Sequence, residues 1–118
     1  MSATPGTLSM VGFSAGGLRF AIEASAVAAM LPPEAAAESF AALLGLSPTS
    51  ATTRVLAVRQ GTAQRALLVE EPVATMDLPL HAVQPLPPLL EARLERRLIR
   101  AMSWDDQGPL LLVALAAS

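Results

Sequence analysis

The residues of this 118-residue chain that could do chemistry are few: one histidine, His81, two adjacent carboxylate pairs, Glu70-Glu71 and Asp105-Asp106, and a set of arginines near the C-terminal end. His81 has no second histidine, no cysteine and no carboxylate nearby in sequence with which to form a dyad or a metal site, so it reads as a turn residue. Asp105-Asp106 stand before Gln107-Gly108, where short acidic side chains fix tight turns rather than bind metal or move protons. Glu70-Glu71 close an apolar run and read as solvated charge at a strand end, facing an arginine. Gly12, Gly16 and Gly17 do not make a GxGxxG loop, and no Walker sequence is present. The expectation is a protein that is not an enzyme and that needs neither cofactor nor metal.

Arg93, Arg96, Arg97 and Arg100 fall at helical spacing beside Glu91 and Glu95, as on a solvated face. A strand is expected to begin near 97, and alternation along it would place Arg100, Met102 and Trp104 on one face. Those three types are enriched at binding hot spots, which makes them candidate partner-binding residues; the competing reading is that a lone Trp closing a hairpin belongs to the core.

All eight basic residues are Arg, and a net charge of -2 with pI near 5.2 offers no electrostatic footprint for nucleic acid or anionic lipid. The first residues lack the charged and apolar regions of a signal peptide. The closing run PLLLVALAA is far shorter than the ~20 apolar residues of a membrane helix. A soluble, cytoplasmic protein that neither binds nucleic acid nor inserts into membrane is expected. No disulfide can form without cysteine.

These candidates need elements to position them. Residues 7–23 read as a β-hairpin, with Leu18, Phe20 and Ile22 facing one way, a turn at 15–17 and a bulge near Val11-Gly12. Pro33, Glu34 and Glu38 suit the first turns of a helix over 34–44, with Phe40, Leu43 and Leu44 as its inward stripe and Gly45 as the residue after its C-cap. Strands follow at 55–58, 66–69 and 73–76, with Pro72 at a bulge, start or edge. A helical turn is expected over 91–97, then a hairpin of 97–104 and 110–115. The stretch LPLHAVQPLPPLL at 78–90 is too aliphatic for a linker or a displayed polyproline ligand, so it reads as an irregular connection packed between two β lobes of one domain spanning 1–118.

The run ALLVEEPVATMDLPLHAVQPLPPLL followed by LIRAMSWDDQGPLLLVALAAS resembles the C-terminal half of CheW-like domains, the adaptor modules of bacterial chemotaxis arrays. GLRFAIEASAVAAML is similar to their opening hairpin, and FAALLGL to their short helix ending in Leu-Gly. The resemblance implies a mainly β fold of two small β-barrel lobes, without catalysis, that connects chemoreceptor tips to a histidine kinase. Where such domains carry a pair of strands joined by an Asn-Leu-Arg-Gly turn, this chain has only PPEAAAES between Leu31 and Phe40, so the first lobe is expected to be incomplete.

Two functional readings follow. One is a non-catalytic interaction adaptor in chemosensory signalling, coupling or modulating a histidine kinase array, with a homodimer formed through an open sheet edge as a further expectation. The other is a small β domain that binds an apolar ligand between its lobes, in a pocket lined by Leu67, Leu86 and Leu112.

Overall fold

The computed structural model describes residues 6–49, 52–88 and 98–114. The chain is mainly β. Strands β1 (Thr7–Ala15) and β2 (Leu18–Glu23) form the expected hairpin around Gly16-Gly17, followed by β3 (Val27–Leu31). Next come β4 (Glu38–Ser39), helix α1 (Phe40–Leu43), and the pair β5 (Thr53–Gln60) and β6 (Ala63–Pro79). The final hairpin is β7 (Ile99–Asp105) and β8 (Gly108–Val113).

These strands make one sheet of order β3-β5-β6-β1-β2-β8-β7, with β4 added to β6. The two lobes are two arms of that sheet, and the sheet does not close. β6 belongs to both arms, because residues 63–70 pair with β5 while residues 74–79 pair with β1, and Glu70 pairs with both strands. Where separate strands at 66–69 and 73–76 were expected, a single strand changes partner at Pro72. A residue without an amide hydrogen fits the break in the β1 ladder between Glu70 and Ala74. The register of β1 against β6 shifts between Gly12 and Ser14, but two steps along β1 face four along β6, so the extra residues lie in β6. β1 keeps unbroken register with β2, and the bulge expected near Val11-Gly12 is not in β1.

The main core lies between the arms. It joins Phe13, Phe20 and Phe40 with aliphatic residues from β1, β2, β5, β6, β7 and β8. All three phenylalanines of the chain meet there, with ring centroids 5.0–5.8 Å apart. A smaller cluster of Met10, Ala21, Leu78, Leu110 and Leu112 fills the other face of the second arm. β2 is therefore buried on both faces: Phe20 and Ile22 enter the main core, and Ala21 the smaller one.

The helix is shorter than its expected span of 34–44. Ala35 N–H donates to the Pro32 carbonyl in a turn, and Glu38-Ser39 are taken up in parallel pairing with Leu67-Leu68. Ser39 then caps α1, its side chain accepting from the Ala42 amide. Pro33, Glu34 and Glu38 thus lie outside the helix. Helices in proteins depend on an apolar face to bury, and Glu34, Ala36 and Ala37 offer exposed positions while Phe40 and Ala41 are buried. The C-terminal end is as expected: Gly45 has φ of 73°, its amide donates to Ala42, and the Leu46 amide donates to Ala41, which is the Schellman arrangement.

The proline-rich connection is structural. Leu78 is buried next to the end of β6, residues Leu80–Ala82 form a 3-10 turn, and Gln84 exchanges both main-chain hydrogen bonds with Met102 at 2.8 Å. Val83 and Leu86 pack against the two clusters. The helical turn expected at 91–97, with Arg93, Arg96 and Arg97, lies outside the described residues. Among the described residues no helix is long and apolar enough to cross a membrane.

Candidate partner-binding surface

β7 carries the three candidate binding residues, but it does not present them together. Its pairing with β8 shifts between Ile99 and Ala101, so Arg100 is an extra residue and alternation breaks there. Ile99 and Met102, three apart, both enter the main core, and Met102 is only 2% exposed. The shared face expected for Arg100, Met102 and Trp104 is corrected accordingly: Met102 packs inside, while Arg100 and Trp104 are exposed. Trp104 lies beyond the core, opposite Pro109 near the hairpin tip, and is 58% exposed. A core role for this indole is not what the structure shows.

Beside Trp104, Arg19 from β2 reaches across to Asp105. The guanidinium makes a bidentate pair, with Nη2 to Oδ1 at 2.7 Å and Nη1 to Oδ2 at 3.2 Å, and Nη2 also donates to the Gly108 carbonyl at 2.8 Å. Asp105 accepts the Gln107 amide at 2.8 Å as well, which is the expected turn chemistry. Hydrogen bonding from Arg19, then from the Gln107 amide, holds the Asp105 carboxyl below its ordinary value. Arg19 Nε is buried and has no hydrogen-bond partner among the described residues.

Two depressions flank this ion pair. The larger, about 490 Å³, is bounded by Met76, Leu78, Pro79, Ala82 and Trp104. The smaller, about 130 Å³, lies over Gly12, Phe13, Ala74 and Leu110. The arrangement offers an aromatic plane and an apolar trough next to a fixed charge pair, which suits a protein side chain better than a reaction. Sequence reasoning missed Arg19 here. Nothing in its neighbourhood announces a partner 86 positions away.

The remaining candidates are dispersed. His81 is exposed in the 3-10 turn, and Asp106 is exposed in the β7–β8 connection. Glu71 pairs with Arg54 at 2.9 Å, so the expected arginine is there, but β6 runs on to Pro79 and neither glutamate ends a strand. Glu70 is different, being 4% exposed and accepting from the Thr49 amide and hydroxyl at 3.1 Å and the Gly16 amide at 3.4 Å. Leu67 and Leu112 belong to separate clusters and Leu86 packs against the main one, so the three do not line a shared pocket.

No family model matches the chain, and no curated protein matches it by sequence. Among solved structures it is similar to the scaffolding protein TtCheW from Thermoanaerobacter tengcongensis, with a TM-score of 0.82 at 11% identity, covering 98% of this chain and 90% of that one. Agreement at that TM-score over nearly the whole length shows that the chain has the CheW-like fold.

Proposed function

We propose that residues 1–118 act as a single, non-catalytic interaction adaptor in a bacterial chemosensory-type system, binding a histidine kinase, a chemoreceptor or both in the cytoplasm. The observation that carries this reading is the structural match to a scaffolding protein across 98% of the chain. The exposed Trp104, beside the Arg19–Asp105 pair, is the surface we assign to partner contact, with the exposed Arg100 further along β7.

The test is binding of the purified chain to the kinase regulatory domain and receptor tip encoded with it, read by calorimetry. Trp104→Ala should weaken that binding by about tenfold or more, as loss of an anchor residue does, while leaving the melting temperature unchanged. No binding to either protein would remove the proposal. Binding that Trp104→Ala and Arg100→Ala leave intact would relocate the contact surface.

A further inference from the structure

We propose that two copies of this chain pair antiparallel through the free edges of β3. Among the described strands β3 ends the sheet path, pairing with β5 on one side only. The main-chain groups on its other side are a template for one more strand. Edge strands are usually protected by charge or proline. The five residues VAAML carry neither, with a bulge at Ala28 near one end and Pro32-Pro33 just past the other, and Ala29 and Met30 between them face solvent, Met30 being 52% exposed. The inference does not depend on a signalling role.

The occupant is argued from charge. A neutral strand meeting its own copy brings no like charges into register. With the two-fold axis at Ala29 or Met30, the far end of one strand lies against positions 24–26 of the other. Glu34 is exposed in the turn just past β3. Arg59 is exposed at the opposite end, where its Nη1 donates to the Ser25 carbonyl at 2.6 Å. An antiparallel dyad therefore brings Glu34 of each copy to Arg59 of the other, twice per dimer. A parallel pairing would not.

The full chain is examined by sedimentation velocity over a range of concentrations. A reversible monomer–dimer equilibrium is expected. Met30→Lys and Ala29→Pro should each raise the dissociation constant by about tenfold or more, with the circular dichroism spectrum and melting temperature retained. Glu34→Arg should weaken the dimer, and adding Arg59→Glu to it should restore association. Because the chain has no cysteine, Met30→Cys supplies a single thiol. It should give a disulfide-linked dimer under mild oxidation, whereas Thr62→Cys in the β5–β6 turn should not. A chain that stays monomeric at the highest concentration, or a dimer untouched by the β3 substitutions, overturns the proposal. If only a heterologous protein is captured at this edge, the second-copy assignment is likewise wrong.

Discussion

Glu70 and the hairpin glycines show how single residues are decided by contacts that adjacent sequence does not report. Two consecutive glutamates after an apolar run look alike, yet alternation sends Glu71 outward to Arg54 and Glu70 inward to the Thr49 segment and the Gly16 amide. Glu70→Ala leaves those donors facing an apolar methyl and should cost about 2–3 kcal/mol in urea unfolding. Glu70→Gln should cost only about 1 kcal/mol, since its carbonyl can still accept the amides while the Thr49 hydroxyl rotates to accept. Equal losses would mean that charge, not hydrogen-bond accounting, governs the site. Gly12 and Gly16 separate in a similar way. A Cβ at Gly12 meets the Met76 Cε, the mobile end of a side chain, whereas a Cβ at Gly16 meets Leu46 Cβ at 2.6 Å and must adopt φ of +58°. Gly16→Ala should therefore destabilise more than Gly12→Ala, by about 1–2 kcal/mol for the backbone conformation alone. Thermal melts of the two variants check the order.

At the scale of elements, sequence was most informative where the signal is local. The β1–β2 hairpin, the turn at Gly61, the Gly45 helix stop and the final hairpin follow from turn residues flanked by alternating apolar positions, and all stand where those residues put them. The start of α1 and the unity of β6 were not legible, because each is set by a strand elsewhere: β6 captures Glu38-Ser39, and β5 and β1 share β6 between them. The β7 bulge at Arg100 likewise depends on β8, and it takes Arg100 out of the alternation that sends Met102 into the core. Met102→Ala should accordingly lose about 2–4 kcal/mol of stability, as core truncations do, while Arg100→Ala stays near zero in the same denaturant titration. For α1, Ser39→Ala removes the only side-chain cap of a one-turn helix that seats Phe40 in the core, with an expected cost of about 1 kcal/mol by chemical denaturation.

Across the whole molecule, the two hairpins that flank the second arm meet in two ways. One is the parallel ladder of β2 with β8, and the other is the Arg19–Asp105 pair, which bolts the β2 side chain to the tip of β7. The general fold was legible because the β pattern and the resemblance agreed along most of the chain, but this junction was not, since parallel pairing has no hairpin turn to announce it. Acid should expose its contribution. Asp105 is held below its ordinary value of 3.8, first by Arg19 and then by the Gln107 amide. A carboxyl depressed in the folded state stabilises it fully above the unfolded value, and that contribution is lost as pH falls through the folded value. Asp105→Asn keeps an acceptor for the Gln107 amide but not the charge. Wild type should thus melt above the variant at neutral pH, with a gap that is constant down to roughly pH 5 and closes as the solution is acidified past the ordinary aspartate range. Added salt should narrow the neutral-pH gap, because the carboxylate is solvent-exposed and its pairing screened. No gap at neutral pH would show that the junction is held by Arg19's bond to the Gly108 carbonyl rather than by its ion pair, and a gap that persists in acid would show that the substitution costs stability for a reason other than charge.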